Sequence, residues 1–344
     1  MKQMGFFHED DRLLRLSEMG DPLEKITMTI DWEMFRPMLN KALRKESKGP
    51  GGRPPYDYVM MFKILLLQMW YGIADDNTEY LINDRLSFQR FLGLNLGDKV
   101  PDAKTIWLFR ETLSTRGVEK DLFLLFAKQM EAQGVITRSG SIVDASFIDA
   151  PKQRNNREEN KDIKQGKIPE DWSDNKRRQK DTDARWTKKN DEKHFGYKNH
   201  VKVDKDSKMI IDFSATDASV HDSQEIVDMI DLMDKVLYAD SAYTGRDLFR
   251  AILDKNPNLI LQINEKGYRS HPLTENQKES NRIKSKIRAR VEHVFGHMTN
   301  SMGGMMIRCI GKRRANGAIA LKNLAYNMSR YVYLHTANRV PMPT

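Results

Sequence analysis

Lys235-Val-Leu-Tyr-Ala-Asp240-Ser-Ala-Tyr-Thr-Gly245 is the stretch on which the fold turns. Val236 to Ala239 is a short apolar run of the kind that forms a buried strand. Asp240 stands where the run ends, Gly245 breaks the pattern, and Arg246 to Leu253 has the spacing of a helix. In an open α/β sheet, ligands bind beyond the carboxyl ends of the strands, which makes Asp240 a candidate site residue. Aspartate is also a favoured helix cap, and position alone leaves both readings open.

Upstream, the period changes at Gly140. Ser141-Ile-Val-Asp144-Ala-Ser-Phe-Ile-Asp149 alternates as a strand does. Asp144 and Asp149 are five positions apart, so they face opposite sides of one straight strand and only one can enter a shared site. His194-Phe-Gly-Tyr-Lys198-Asn-His200-Val-Lys-Val-Asp204 reads as a second strand, Asp204 to Lys208 as a hairpin turn, and Met209 to Thr216 as the returning strand. Asp217 to Glu225 opens a helix expected to run to Met233. After the opening stretch and its helix, Leu259 to Ile263 is a fifth strand, followed by a long final helix. Three consecutive strands, helix, strand, helix, strand and helix is the ribonuclease H-like order: an α/β fold with a mixed five-stranded sheet.

On the long helix, Ile283, Ile287, Val291, Val294, Phe295 and Met298 form one apolar stripe. Glu292 lies roughly 125° from the centre of that stripe, at the border between the packed face and solvent. There it is either a surface acid paired with Arg288 one turn back, or a side chain reaching the active edge of the sheet.

The helix-rich first part, residues 1–133, precedes the α/β unit at 137–335, and a flexible tail is expected at 336–344. Within the first part, Leu13 to Met19, Trp32 to Leu43, Tyr58 to Tyr71, Thr78 to Phe91 and Asp121 to Ala132 read as helices, and Gly49 to Pro55 as a linker or sharp turn. Asp102 is a candidate N-cap for a helix exposing Lys104 and Arg110. That set suits either a helix-turn-helix unit in a major groove or a plain bundle making dimer contacts.

Residues 151–193 form a polar insert rich in both charge signs. Its composition cannot bury an independent core, so it is expected to be mobile without DNA and to become ordered on bound DNA ends. Arg177, Arg178, Lys188 and Lys189 are available to phosphates, and Trp172 and Trp186 to unpaired bases. Lys198 and, on the long helix, Arg288 and Arg290 join the candidate DNA contacts.

Lys and Arg total 57 against 48 Asp and Glu, a formal charge of +9, which points to a polyanionic partner. After Glu292 there is no further acid, while Arg308, Lys312, Arg313, Arg314, Lys322, Arg330 and Arg339 follow. Ala318, Leu321, Leu324, Ala325, Met328 and Tyr331 recur there at helical spacing, so a packed helix with a basic face suited to phosphate is expected. A run of about eighteen apolar residues is missing, so no membrane span is expected. The start lacks the apolar stretch of a signal peptide. The single Cys309 makes no internal disulfide or zinc cluster, and a reducing cytosol fits.

Asp144, Asp240 and Glu292 thus come from two strand ends and one helix of a single unit. Asp149, Asp204 and Asp222 sit on the wrong strand face, in a turn, or at a helix start. Clustered carboxylates repel unless a cation joins them, and an oxygen-only donor set suits Mg²⁺ or Mn²⁺. Two such ions about 4 Å apart activate one oxygen and stabilise the leaving oxygen of a phosphodiester.

Val143-Asp-Ala-Ser146, His194-Phe-Gly-Tyr-Lys-Asn-His-Val201, Ala239-Asp-Ser-Ala-Tyr-Thr-Gly245 and Arg288-Ala-Arg-Val-Glu-His-Val-Phe295 resemble the DDE transposases of bacterial insertion sequences, in the branch called the insertion-sequence-five family. Gly52-Arg-Pro-Pro-Tyr56 and Pro101-Asp-Ala-Lys-Thr105 extend the resemblance into the first part. It implies a ribonuclease H-like core in which Asp144, Asp240 and Glu292 bind two Mg²⁺ ions. It implies cutting of double-stranded DNA at inverted-repeat ends, joining of the freed 3′-hydroxyls to target DNA, a homodimer on DNA, and a bacterial, nucleoid-associated location. Arg288 matches the signature arginine of that family. Ser285 and Thr299 stand where the signature has tyrosine and lysine, leaving DNA contact there to Lys284, Lys286 or Arg290. A nuclease that cuts without joining, and a DNA-binding protein without catalysis, are the alternatives.

Overall fold

The computed structural model describes residues 8–44, 54–189 and 191–337. Most of the predicted linker and tail, with Arg339, lies outside the described residues. Eight helices open the described chain: α1 (His8–Glu18), α2 (Pro22–Thr29), α3 (Arg36–Leu43), α4 (Tyr58–Tyr71), α5 (Asp75–Asp84), α6 (Leu86–Leu92), α7 (Ala103–Arg116) and α8 (Val118–Ala132). The apolar run predicted for α4 starts where the Asp57 carboxylate accepts from the Met60 N–H and stops at left-handed Gly72. Asp102 caps α7 as expected, accepting from Thr105 N–H at 2.7 Å. The single helix expected from Thr78 to Phe91 is two, because Arg85 adopts an extended conformation between α5 and α6.

Among the described residues, six strands build one mixed sheet, not the five expected. β1 (Ser141–Asp149) is central. β2 (Arg185–Lys189) and the long β3 (Glu192–Asp204) come next, then β4 (Ile210–Asp217), β5 (Val236–Ala239) and β6 (Ile260–Ile263). β3 lies antiparallel to β1, and on its other edge carries β2 along its first part and β4 along the rest. β5 is parallel to β1, and β6 to β5. Five strands are those marked out by sequence; β2 is the addition, and it comes from the insert.

The insert also holds α9 (Arg157–Lys164) and α10 (Asp174–Gln179), so the mobile segment expected from composition is replaced by an ordered one. The compositional argument tests for an independent core, and this segment borrows one. Trp172 is buried and donates to Glu159, which also takes Lys176 at 2.5 Å. The buried Asp181 carboxylate accepts from the Tyr197 hydroxyl on β3 and from Gly311 N–H. β2 then needs only the free edge of β3.

α11 (Ile226–Met229) is a short helix, where one running to Met233 was expected. Asp231 and Asp234 end it by accepting local backbone N–H groups, those of Met233 and Asp231. α12 (Arg246–Lys255) follows β5. α13 (Glu275–Ser301) begins at a capping box of Thr274 and Gln277 and buries Val291, Val294 and Met298 on the sheet. α14 (Lys312–Thr336) sits between the N-terminal helices and the sheet. Its Asn323 pairs with Asn199 of β3, its Asn327 with the Ile210 backbone of β4, and its Ala325 carbonyl accepts from Trp70 of α4. One apolar core consequently runs through both parts of the chain.

The packed helix expected near the end is there, but most of its basic face is engaged within the chain, and Lys312 is the base left exposed at its start. Arg313 and Arg314 pair with Glu111, Arg330 donates to the Ser207 carbonyl, and Lys322 donates to the Met69 and Met302 carbonyls. Burial lowers the Lys322 ammonium to about 8. No helix among the described residues is long and apolar enough to cross a membrane.

Where α13 ends, left-handed Gly303 meets left-handed Gly72 at the end of α4. A Cβ on Gly303 would stand 2.5 Å from the Gly72 Cα, so no side chain fits. Gly303→Ala is expected to lower stability by about 2 kcal/mol or more, read as a drop in the urea midpoint without a change in slope.

Candidate active site

The last residue pairs between the parallel strands β1 and β5 are Ser141 with Leu237 and Ile142 with Tyr238. Continuing that register by two residues sets Asp144 beside Asp240. Side chains two apart share a face and adjacent strands lie about 4.8 Å apart, so the two carboxylates come together beyond the end of β5. Sequence alternation placed Asp144 and Asp149 on opposite faces, and only Asp144 joins Asp240.

α13 lies over this face and brings Arg288 between the acids. Its Nη1 stands 3.6 Å from Asp144 Oδ2 and 4.0 Å from Asp240 Oδ2. The other oxygen of each acid takes a local N–H: Asp144 Oδ1 from Ala145 at 2.8 Å, and Asp240 Oδ1 from Ala242 at 2.6 Å. One oxygen of Asp240 caps the turn at Ser241–Tyr243, not the helix Arg246–Lys255 that follows, and the other faces Arg288.

Glu292 is not brought in. It is exposed one turn further along α13 and makes no hydrogen bond or ion pair among the described residues. Among those residues no three acid, histidine or cysteine side chains stand together as a metal would require. Two hard carboxylates sharing one cation, with a third acid a turn away on the same helix, suit a divalent cation in donor type, while the third ligand still has to approach.

Burial raises the Asp144 carboxyl to about 6. The Ala145 N–H and Arg288 pull it down, and Asp240 pushes it up. A cation needs this carboxylate ionised, so Mn²⁺ affinity of the DNA-free protein is expected to fall as pH drops through about 6. Calorimetric titration across that range checks it; flat affinity would remove Asp144 from the ligands.

The predicted DNA contacts divide. Arg110 is held inside the helical part by Asp75, at 2.5 Å, and by Gln68, so it is not the exposed base expected. Lys198 is buried, donating to Asp222 and to the Val220 carbonyl, because its position on β3 faces the sheet interior. Arg290 donates to the Lys205 carbonyl, and Lys284 to that of Ile263. Trp172 is buried, as described above. Lys104, Arg177, Arg178, Trp186, Lys188 and Lys189 stay exposed. Lys188 pairs with Asp191, Arg177 donates to the Glu170 carbonyl, and Lys189 lies over the Phe147 ring. Phe147, on the face of β1 opposite Asp144, stacks on His194 at 4.1 Å, an aromatic pair that sequence reasoning passed over.

Sequence reading also missed Tyr243. It is 1% exposed, and its hydroxyl has no hydrogen-bond partner among the described residues. A cavity of about 410 Å³ elsewhere is lined by Gln68, Asp75, Trp107, Arg110, Glu111, Arg308 and Lys322; its acids Asp75 and Glu111 are each paired with arginine, so the carboxylates facing each other at Asp144 and Asp240, and not cavity size, locate the site.

Two carboxylates, Asp144 within β1 and not at the strand end expected, and Asp240 just past β5, under a helix-borne cation on a mixed sheet with a helical N-terminal part, define an α/β protein with an acidic centre. The chain belongs to the transposase DDE domain family, whose model matches residues 136–328, more than half of its length. A second model, the transposase domain DUF772, matches residues 11–112. Among solved structures, the cryo-EM structure of piggyBac transposase synaptic complex with hairpin DNA is similar over 94% of this chain and 77% of that chain, at 12% identity and a TM-score of 0.47.

Proposed function

We propose that this transposase binds the terminal inverted repeats of an insertion sequence, cuts the DNA at those ends and joins the 3′-hydroxyls to target DNA. The core is read as ribonuclease H-like, from the strand order β4-β3-β1-β5-β6 and its parallel pairs. The single observation that carries the reading is the meeting of Asp144 and Asp240 at equivalent register beyond a parallel strand pair, with one cation between them. Asp144, Asp240 and Glu292 would hold two Mg²⁺ or Mn²⁺ ions, Glu292 approaching from α13. Bound there, such ions activate a hydroxyl as nucleophile and stabilise the leaving oxygen of a phosphodiester. Within the chain itself, the Ala145 and Ala242 N–H groups fix the orientation of the two aspartates. Exposed Lys104, Arg177, Arg178, Lys188, Lys189 and Trp186 offer phosphate contacts and a stacking surface, and a homodimer would bring two ends together.

The test is incubation with a duplex carrying the element's end, its repeat taken from the DNA flanking the coding segment. Nicking at the boundary in Mg²⁺, and none in excess chelator, is the expected result. Equal cutting in chelator would remove the metal mechanism.

A further inference from the structure

Tyr243 closes the turn that follows Asp240, its N–H donating to the Asp240 carbonyl at 3.2 Å. Its ring packs in the apolar cluster that holds Val143 and Ala239, the residues immediately before Asp144 and Asp240. That packing accounts for an aromatic ring at this position. It does not account for the hydroxyl, which is buried and makes no hydrogen bond among the described residues. A buried polar group without a partner opposes folding, and phenylalanine would fill the same space without that cost. The neighbouring acids cannot be its settled partners here. Asp222 is engaged by Lys198, and the inner oxygens of Asp144 and Asp240 face Arg288. Burial, and after it the charges of Asp144, Asp222 and Asp240, hold the phenol well above its ordinary range, so it remains a donor at neutral pH.

We propose that Tyr243 is a positioning residue of the DNA-cutting centre: its unpartnered hydroxyl donates to the oxygen atoms that gather at Asp144 when a divalent cation is bound, fixing that carboxylate in its binding orientation. The proposal rests on the cleavage reading given above. Arg288 stands 3.6 Å from Asp144 Oδ2, on the side of α13, and the hydroxyl has no share in that contact. A divalent cation at Asp144 would take over the role of Arg288 as counter-charge and leave that carboxylate to accept from the hydroxyl. Groups that orient a metal ligand from behind commonly change metal affinity or activity by about 10-fold or more.

Tyr243→Phe removes one oxygen atom and keeps the ring. Three measurements on the full chain then test the proposal. The metal-free melting temperature should rise, by about 2 °C or more, because an unsatisfied polar group has gone. Mn²⁺ affinity of the DNA-free protein, read by calorimetry, should weaken about 10-fold. Affinity for a duplex carrying the element's end, measured without divalent cation, should not change. A fall in melting temperature would mean that the hydroxyl is bonded within the fold, and unaltered Mn²⁺ affinity would mean that it does not orient Asp144; either result overturns the proposal. Asp144→Asn is measured in parallel. If it still cuts DNA, the cleavage reading itself fails. If it is inactive while Y243F binds Mn²⁺ as the wild type does, only the role of the tyrosine fails.

Discussion

Asp144→Asn is expected to abolish DNA cutting while making the metal-free protein more stable. Cleavage should fall roughly a thousandfold or more, because the substitution removes a ligand charge at the reacting centre. The stability effect has the opposite sign. Folding raises the Asp144 carboxyl from 3.8 to about 6. A group raised in this way favours the folded state only while protonated, below its unfolded value, and that contribution is lost as pH climbs through about 6. At neutral pH the ionised carboxylate therefore opposes folding, by on the order of 3 kcal/mol. Asparagine carries no such charge and still accepts the Ala145 N–H. Thermal melts should show the Asp144→Asn protein above wild type at neutral pH and level with it in acid. A variant less stable at neutral pH, or one that cuts normally, contradicts the assignment.

The second large effect concerns Arg288. Its guanidinium is the cation shared by Asp144 and Asp240. With Arg288→Gln, two carboxylates on adjacent strands face each other without a counter-charge, so stability at neutral pH should drop by about 1–2 kcal/mol, allowing for partial exposure. The loss should disappear in acid, where Asp144 is protonated. Mn²⁺ should restore the variant and stabilise it more than it stabilises wild type, since the competitor for the acids is gone. Melting curves with and without Mn²⁺ read both effects. Equal Mn²⁺ stabilisation of the two proteins would show that Arg288 does not occupy the cation's place.

Asp144 and Asp240 were legible in the sequence because period and apolar runs fix where a strand ends and which face a side chain takes. Glu292 was placed on a helix flank for the same reason, but its distance from the sheet depends on how α13 sits, which periodicity does not encode. The pairing of Arg288 with both aspartates joins three elements and leaves no local mark. Arg110 and Lys198 looked like free bases because their partners, Asp75 and Asp222, approach from other elements. The insert misled through composition: its few buried apolar residues, Ile163, Trp172 and Ala184, suffice when the sheet edge and Tyr197 are already in place. α14 showed its packed stripe, but not that most of its basic residues are taken up by Glu111 and by backbone carbonyls.

The most direct measurement is strand transfer with a pre-cut, 3′-labelled element end and a supercoiled target plasmid in Mg²⁺. The account predicts label joined covalently to the plasmid by wild type, and none with Asp144→Asn, Asp240→Asn or Glu292→Gln. Cutting without any joining by wild type, or joining by any of the three variants, would contradict it.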